Sequence, residues 1–567
     1  SNTWSVQNLS DSGDQMLDTP TNNFCTWNPL HYKWNQTNAY AEGNTKITMT
    51  SSGSEGTAYG TIGGLTSGKW YWEVYINAIG SGTRIGISSS VQLPSSHAPT
   101  NFREFLDNHD GTGRNSPAGF DNTWGNAFTD GDIIGVALDV DNGTLAFYKN
   151  NSSQGTAFTN ILSDLPTDGW IPMHRGYGNP TNTTNWGQDS SFAGAKTAQG
   201  NQDGNDIGDF YYTPPTGFLA LCTSNLPEPD VKPAETFNTV LWTGNGSSDH
   251  SITGVGFQPD LTWTAERTST SANHLFDAVR DYNGLYTNST SAESDQSAMG
   301  GPDSDGFTVG VSGGYNESNQ TYCAWNWKFN GSGSANTDGS INTTATSVNV
   351  SAGLSMSTYT GNSTSGATVG HGLSQAPDFV MCKRRSNTGN WTIFWNNTET
   401  SDPETDFWRL DETGAVADSN TLWNDTAPTA TVFSLGDSVD VNANSNTYVA
   451  YCFHNVDGFS KMGYYEGNGN DDGAFIYTGF RPAWVMTKEV SGSNYWHIMD
   501  NKRSPSNPVN DHLKANDSAA EDTNNAGFVL DFVSNGFKWR DADHDNQAAT
   551  YIFMAFAETP FKYANAR

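Results

Sequence analysis

Short runs of alternating apolar and polar residues occur along the whole chain, and they predict β-strands. The clearest pair flanks the dipeptide Asn142-Gly143, where the apolar positions are Val136, Leu138, Val140, Leu145 and Phe147. Alternation on both sides of Asn-Gly is the pattern of a β-hairpin. No window of the sequence repeats apolar residues at spacings of three and four along a helical length. The pattern therefore predicts an all-β protein.

One aromatic strand pattern occurs three times in the C-terminal half. Its copies are Thr321–Trp327, Thr447–Phe453 and Thr550–Phe556. A Gly-rich opening and then a proline step precede each copy; the openings are Thr243–Gly246, Thr360–Ser363 and Glu466–Gly469, and the steps are Pro259-Asp260, Pro377-Asp378 and Pro482-Ala483. Landmarks in a fixed order indicate three tandem β-sandwich repeats of about a hundred residues each.

Polar stretches between these patterns mark the expected domain boundaries. Prolines at 227, 229 and 233 stiffen a segment that can join neither a helix nor a central strand. The join between the second and third repeats is short and partly apolar, so we expect those two repeats to pack together. The predicted organisation is an N-terminal arm at 1–20, a β-sandwich domain at 21–224, a Pro-rich linker at 225–236, a first β repeat at 237–331, a Gly/Ser/Thr linker at 332–346, a second repeat at 347–462 and a third repeat at 463–567.

Charge and composition narrow the classes of partner. Lys and Arg total 27 against 60 Asp and Glu, which gives a formal net charge of -33. Such a field repels phosphate backbones and anionic membranes. No apolar run reaches the roughly 18 residues of a membrane span. We therefore expect no nucleic-acid partner and no membrane insertion, and an acidic protein that stays soluble in seawater-like salt.

The five cysteines, at positions 25, 222, 323, 382 and 452, are odd in number and widely spaced. This spacing disfavours both a disulfide framework and a metal knuckle. Cys323 occupies the position of Val449 and Ile552 in the other repeats, so we expect it to act as a small buried apolar side chain.

Several motifs near the N-terminus occur in the order typical of one family. They are Lys69–Ile76, Arg84–Ile87, Phe128–Asp139, Asp141–Asn150, Trp170–Pro172 and Asn185–Gln188. In this order they resemble a SPRY domain, over about residues 20–220. The resemblance implies a bent antiparallel sandwich of the concanavalin-like kind that binds proteins or small ligands through its loops.

Further motifs resemble tail-fibre-like virion proteins of marine bacteriophages. They are the lead-in Asp18–Phe24 with Trp27–Pro29, the step Gly256–Asp260, the step Leu275–Arg280 and the turn Asp305–Phe307. The second repeat departs from this pattern, because Trp391–Trp395 replaces the acid-bearing step. The resemblance implies a virion protein, and by analogy with fibres a homo-oligomer, most simply a trimer.

The arrangement of acidic, histidine and serine residues does not favour an enzyme. A glycoside hydrolase needs two carboxylates about 5 to 9 Å apart, yet Glu73 is the sole acid of its strand and the Glu293–Asp295 segment has the composition of a loop. Ser/Gly clusters lack a following helix, and histidines are scattered singly. We expect no catalytic residues and no cofactor.

Acidic turns and aromatic residues supply the candidate binding residues. Oxygen-rich turns have the short spacing that suits calcium, so a Ca²⁺ ion is a possible ligand; the candidates are Asp471, Asp472, Asp541, Asp543 and Asp545. Flat aromatic faces pack on sugars, and most aromatic residues here fall at strand positions that imply a core. Outside that pattern are Tyr286, Tyr315, Trp395 and Trp423, which we take as candidate ligand contacts.

These observations together predict a non-enzymatic tail-fibre or receptor-binding protein on the virion surface. Its partners would be a glycan or protein of the host cell surface and other virion proteins. One alternative is a structural decoration or appendage subunit that acts through assembly contacts. A further alternative is a secreted, extracellular bacterial glycan-binding protein or polysaccharide-active enzyme. Fold alone does not decide among them.

Overall fold

The computed structural model describes residues 22–31, 36–51, 56–89, 102–108, 111–116, 119–121, 124–166, 169–295, 299–311, 314–396, 398 and 402–564. The regular secondary structure of these residues is almost entirely β-strand, which confirms the all-β prediction. The exceptions are one short α-helix, α1 Asn420–Trp423, and the 3-10 turns Pro233–Glu235, Ala278–Arg280, Pro403–Thr405, His544–Asn546 and Phe561–Tyr563. The chain divides between Glu228 and Pro229 into two compact units. The predicted arm at 1–20 lies outside the described residues.

The N-terminal unit contains two antiparallel sheets. Its strands are β1 Gln36–Ala41, β2 Lys46–Ser51, β3 Gly56–Tyr59, β4 Lys69–Ala78, β5 Gly82–Ser89, β6 Phe102–Asn108, β7 Gly111–Ser116, β8 Gly119–Asp121, β9 Ile133–Asp139, β10 Thr144–Lys149, β11 Ser152–Phe158, β12 Trp170–Tyr177, β13 Thr181–Asn185 and β14 Leu219–Ala220. One sheet has the order β1-β2-β13-β4-β9-β10-β11, with β14 added parallel to β4. The other has the order β3-β12-β5-β6-β7-β8.

The hairpin read from the sequence is present between β9 and β10. Thr144 pairs with Asp139, and Leu145 pairs with Leu138. Gly143 has a φ of 71°, the left-handed conformation that the tight turn requires and that glycine adopts without a Cβ clash. The Asp139 carboxylate accepts a hydrogen bond from the Asn142 backbone N–H (2.9 Å) and so closes the turn.

The C-terminal unit contains three sandwiches, each with an inner and an outer sheet. The inner strands of the first are β15 Phe237–Thr243, β17 Leu261–Glu266, β18 His274–Asp277, β19 Leu285–Tyr286 and β22 Thr321–Trp327; its outer strands are β16 His250–Thr253, β20 Met299–Asp303 and β21 Gly306–Val309. Those of the second are β23 Thr343–Asn349, β24 Leu354–Thr360, β26 Phe379–Arg384, β27 Trp391–Trp395, β28 Asp406–Arg409, β29 Ala417–Asp418 and β31 Thr447–Phe453, with outer strands β25 Ala367–Gly370 and β30 Val432–Leu435. Those of the third are β32 Ser460–Glu466, β34 Phe480–Glu489, β35 His497–Asp500, β36 Leu513–Lys514 and β39 Thr550–Pro560, with outer strands β33 Phe475–Tyr477, β37 Leu530–Val533 and β38 Gly536–Trp539.

The three repeated aromatic strands, β22, β31 and β39, are buried on both faces. Alternate side chains of each strand face the outer sheet of the same sandwich, as Tyr448, Ala450 and Cys452 do in β31. The intervening side chains enter one core that all three sandwiches share; they are Cys323, Trp325, Trp327, Val449, Tyr451, Phe453, Ile552, Met554 and Phe556. Two buried faces explain why these strands are apolar nearly throughout. The expected packing of the second and third repeats is confirmed, and it extends to the first.

Equivalent hydrogen bonds join the sandwiches in a closed ring. A backbone N–H of each sandwich donates to a backbone carbonyl of the next: Glu293 to Arg385 (2.9 Å), Val416 to Val490 (2.8 Å) and Glu521 to Arg267 (3.0 Å). A side chain on each also donates to a carbonyl of the one before: Trp391 Nε1 to Tyr286 (2.8 Å), Trp496 Nε1 to Arg409 (3.0 Å) and Asn273 Nδ2 to Lys514 (2.8 Å). The third sandwich thereby contacts the first, and the C-terminal unit has pseudo-threefold symmetry within one chain.

The repeated Gly-rich openings are explained by a buried asparagine in each sandwich. Asn316, Asn442 and Asn546 accept hydrogen bonds from the backbone N–H of Asn245 (3.0 Å), Asn362 (2.9 Å) and Asn468 (3.3 Å) respectively. The glycine before each of these donors lies against backbone. A Cβ on Gly244, for example, would lie 2.2 Å from the Glu317 carbonyl oxygen. The Gly-Asn dipeptide is therefore a folding requirement of each sandwich.

The structure also tests the expectations for the cysteines and for the segment 332–346. All five cysteines are buried and none is in a disulfide, and Cys323 lies in the core as expected for a small apolar side chain. The segment at 332–346, expected to be a linker, overlaps β23, which begins at Thr343 and pairs with β24. Its Ser and Thr side chains form buried hydrogen bonds there, such as that between Thr346 and Ser357 (3.0 Å). Composition alone did not distinguish this polar strand from a linker.

Candidate functional site

Three of the four aromatic residues expected to contact ligand are buried. Tyr315 and Trp395 have no exposed surface, and Trp423 is 2% exposed. Trp395 belongs to the shared core, whereas Trp423 and Tyr315 fill the cores of the second and first sandwiches. A buried aromatic face cannot stack on a ligand at the surface, so the structure does not support this role for the three. Tyr286 is half-buried against the His274 side chain, with centroids 4.9 Å apart.

Some carboxylates of the acidic turns have partners within the protein. Asp472 is exposed and forms an ion pair with Lys538 (2.9 Å), while Asp471 and Asp543 are exposed. The Asp541 carboxylate accepts the backbone N–H groups of Val529 and Asp543, and burial raises its pKa to about 6. Among the described residues, no three His, Cys, Asp or Glu side chains gather in an arrangement that suits a metal ion.

The third sandwich contains a buried histidine–aspartate pair that the sequence did not reveal. Asp545 has no exposed surface and accepts hydrogen bonds from His497 Nδ1 (3.0 Å) and from the Thr487 hydroxyl. The His497 side chain packs edge-on against His512 at 5.1 Å. Burial lowers the pKa of His512 to about 2, so this neighbour is neutral at pH 7.

The other sandwiches show what the pair replaces. Tyr315 and Val441 occupy the position of Asp545, because each directly precedes the buried asparagine of its sandwich and each is wholly buried. His274 and Thr392 occupy the position of His497. They pair with Thr264 of β17 and Cys382 of β26, as His497 pairs with Thr487 of β34. The pair is thus a polar version of a core contact. His497 is 3% exposed, which leaves little of its imidazole for a substrate.

Buried lysines occupy equivalent positions in the second and third sandwiches. Lys383 Nζ donates to the Gly389 carbonyl, and Lys488 Nζ donates to the carbonyls of Glu489 (2.7 Å) and Gly492 (3.0 Å). Burial lowers the pKa of each lysine to about 8. Their partners are backbone oxygens, so the ammonium groups anchor loops.

We expect the lysine pKa shifts to appear as a pH-dependent stability difference. Between pH 8 and about 10.4 the unfolded chain holds protons that the folded chain has lost, so each lysine makes the fold more stable as pH rises through that window. Relative to Lys488→Met, the parent should gain up to about 3 kcal/mol between pH 7.5 and 10. Urea unfolding at several pH values measures the gain. The exposed Lys502→Met should show no such change, and a parallel course of parent and Lys488→Met would contradict the expectation.

In the N-terminal unit, the lone acid of β4 has a structural role. Glu73 is fully buried and accepts the backbone N–H groups of Tyr211 (2.8 Å) and Tyr212 (2.7 Å) and the Asn185 amide (3.1 Å). Burial raises its pKa to about 7. The carboxyl group therefore fixes the segment that follows β13 onto the sheet.

An exposed aromatic residue stands where two turns of the N-terminal unit meet. Tyr177, the last residue of β12, is 43% exposed. Its carbonyl oxygen accepts the Ser81 N–H (2.8 Å), which joins the β12–β13 turn to the β4–β5 turn. Gly80, with a φ of 65°, packs so closely that a Cβ would lie 2.6 Å from the same oxygen. The backbone beneath the Tyr177 side chain is thus held in place, and no sequence motif marks this residue.

Other exposed aromatic residues have a cation over the ring. Tyr495, in the third sandwich, is 36% exposed, and Lys514 Nζ lies 4.2 Å from its ring centroid. Tyr563 is 54% exposed, with Lys562 Nζ at 6.0 Å. Among the described residues, Tyr177 is therefore the strongest candidate for an aromatic contact with a partner. Within the part of the chain that the structure describes, no helix has the length and apolar character of a membrane span.

Family models match both units of the chain. The model described as "Domain of unknown function (DUF7483)" matches residues 232–560. This one model spans all three sandwiches. The SPRY domain model matches residues 69–166, so a SPRY domain is present, as the sequence motifs indicated.

Solved structures similar to this chain include SPRY domains. The SPRY domain of human HERC1 is 22% identical over 28% of this chain and 96% of that chain, with a TM-score of 0.23. The TRIM65 PSpry domain is 14% identical over 29% and 92%, with a TM-score of 0.23. A human SPRY domain is 14% identical over 27% and 96%, with a TM-score of 0.20. No curated protein matches the sequence.

Proposed function

We propose that this chain, which belongs to the DUF7483 family and carries a SPRY domain, is a non-enzymatic adhesion protein of a bacteriophage virion. In this proposal it is a tail-fibre or receptor-binding component that contacts a glycan or protein of the host cell surface. The SPRY domain supplies recognition, and the closed ring of sandwiches supplies a rigid body. The proposal includes the marine setting that the sequence motifs suggest.

The observation that carries the proposal is the placement of Tyr177. Tyrosine presents a large, stiff surface with an apolar face and a polar tip, and it is enriched among residues that dominate binding energy. SPRY domains are in general modules of protein interaction. An exposed tyrosine on a fixed turn of such a domain is the feature of this chain best suited to recognition.

The architecture of the C-terminal unit supports an adhesive role. Most of its aromatic residues lie in the cores, where they stabilise the unit instead of offering stacking faces. The ring of three sandwiches in each chain would be a rigid part of a virion appendage that needs no coiled coil. Several copies on one particle would multiply weak single-site contacts through effective concentration. The net charge of -33 opposes unspecific sticking to anionic envelopes.

We expect Tyr177→Ala to weaken attachment of the chain to cells. Truncating a central tyrosine contact costs about 2 kcal/mol or more, which raises the half-saturating concentration about 30-fold. The measurement is flow cytometry of the fluorescently labelled full chain on a panel of marine bacterial strains, then a titration on the strain that binds.

Tyr495→Ala is the matched control, because Tyr495 is an exposed tyrosine of the other unit. It should bind like the parent, and both variants should keep the parent's unfolding midpoint. Binding of Tyr177→Ala at parental strength would contradict SPRY recognition at this surface. Failure of the chain to bind any strain would favour the decoration-subunit alternative.

A further inference from the structure

The three contacts between neighbouring sandwiches are geometrically equivalent but chemically different. Each contact joins an "acid flank", which contains residue Glu293, Val416 or Glu521, to a "basic flank", which contains Arg385, Val490 or Arg267. The three residues of each flank are equivalent because they form the same interdomain backbone hydrogen bond. The basic-flank residues also correspond, since the N–H groups of Arg267, Arg385 and Val490 bond to the carbonyls of Thr321, Thr447 and Thr550.

Two of these contacts are ionic. Arg385 forms a forked ion pair with Glu293, at 2.6 and 2.9 Å, between the first and second sandwiches. Arg267 pairs with Glu521 at 2.8 Å between the third and first. In the remaining contact, between the second and third sandwiches, Val416 and Val490 take the same places, and Val490 is 3% exposed.

A second difference follows the same division. On the acid flank of the first sandwich, the buried pair Asp277–Arg280 (2.7 Å) receives the hydroxyl of Tyr451 from the next sandwich. On that of the third, the buried pair Asp500–Arg503 receives Trp325 Nε1 (2.9 Å) from the first.

Among the described residues, the corresponding contact of the second and third sandwiches contains no such pair. Trp395 replaces the aspartate, since it pairs with Phe379 as Asp277 pairs with Leu261. Met554 occupies the place of Tyr451 and Trp325 in the shared core. The two charged flanks therefore contact a polar group of the neighbouring sandwich, whereas the apolar flank contacts an apolar side chain.

We propose that the flanks are matched interaction surfaces whose charges select the order of the sandwiches around the ring. In the opposite order, Glu293 would face Val490 and Arg267 would face Val416. Glu293 would keep Arg280 of its own sandwich (3.2 Å) but lose Arg385, and Arg267 would lose Glu521. Each charge would instead face a valine, which is unfavourable because a largely buried charge that loses an ion-pair partner has lost hydration without full compensation. A flank that carries a charge thus selects a flank of opposite charge. The flank that carries Val416 selects an apolar flank.

Substitutions at the valine contact reproduce these mismatches inside the full chain. Val416→Glu places a carboxylate against Val490, the contact that the wrong order would give to Glu293. Val490→Arg places a guanidinium against Val416, the contact that it would give to Arg267. The double variant builds a third ion pair on the geometry of the other two. The three variants therefore measure the discrimination directly.

We expect each single variant to raise the unfolding equilibrium constant about tenfold or more, and the double variant to return it to within about threefold of the parent. Coupling energies of contacting residues are in the range that such a recovery requires. Urea unfolding of the full chain, followed by tryptophan fluorescence, measures these constants. Val439→Glu, at a position 58% exposed, controls for the added charge and should equal the parent.

The results show whether the flanks require complementary side chains or accept any side chain. Single variants as stable as the parent would overturn the proposal, since the flanks would then accept either chemistry. A double variant whose destabilisation equals the sum of the singles would also overturn it. Should a single variant fail to fold, the double variant decides alone, because matched flanks require it to fold.

Discussion

Arg503→Ala is expected to lower the free energy of unfolding of the C-terminal unit by about 3 to 5 kcal/mol, the range for removing one partner of a buried ion pair. The Arg503 guanidinium donates to Asp500 and to Glu521 (2.9 Å), and the Arg503 side chain has no exposed surface. Without it, Asp500 would keep the Trp325 N–H but lose the cation that holds its pKa below the usual value. Urea unfolding at pH 7 measures the loss.

Arg409→Ala is the control for removing an arginine. Its guanidinium is 32% exposed and pairs with Glu412 and Asp440 near the surface. Exposed pairs contribute about 0 to 1 kcal/mol, so this variant should stay close to the parent. A loss below about 1 kcal/mol for Arg503→Ala would mean that the buried ion pair does not stabilise the contact in which Asp500 accepts the Trp325 N–H of the first sandwich.

Trp484→Ala is expected to cost about 3 to 5 kcal/mol, the usual range for truncating a buried tryptophan. Trp484 is 1% exposed in the shared core, with its ring centroid 6.0 Å from that of Trp327 and 5.8 Å from that of Phe556. These partners belong to the first and third sandwiches. The cavity would therefore open where sandwiches meet, and the unfolding midpoint in urea should fall.

Met486→Leu is the control in the same core, because a swap that conserves volume costs less than about 1.5 kcal/mol. Met486 is 3% exposed and lies in the cluster that contains Trp484. An effect of Trp484→Ala no larger than that of Met486→Leu would contradict a core shared among the sandwiches. It would indicate that each sandwich is stable by itself.

The repeats and the fold class could be predicted because they depend on local and repeated patterns. Alternation around Asn142-Gly143 gave a hairpin, and the three aromatic strands gave three sandwiches. Their near-continuous apolar character also carried the information that both strand faces are buried. It did not show that the second face of all three strands enters one core, because burial against another repeat and burial within a repeat have the same pattern.

The candidate binding residues were harder to predict for a related reason. Tyr315 and Trp423 stand outside the aligned strands, yet each fills the core of its sandwich. Lack of a repeat partner therefore does not indicate exposure. Conversely, Tyr177 follows a strand in an ordinary turn sequence, and only the packing of Gly80 beneath it reveals a fixed and exposed position.

The ionic contacts show the same limit of sequence patterns. The Leu275–Arg280 step and its counterpart at Asp500 to Arg503 could be recognised as a motif, and their absence from the second repeat was visible. Their role required knowledge of which sandwich lies beside which. Glu293, in a segment with loop composition, is likewise explained by its ion pairs with Arg280 beside it and with Arg385 across the contact.

The adhesive function is tested most directly by adsorption of phage particles that carry this chain. The measurement compares the adsorption rate constant on host cells with and without an antibody fragment directed at the SPRY domain, and with a fragment directed at the C-terminal unit as control. We expect the first fragment to slow adsorption at least tenfold and the control fragment to leave it unchanged. Unchanged adsorption with the SPRY-directed fragment bound to the particles, or absence of the chain from the particles, would contradict it.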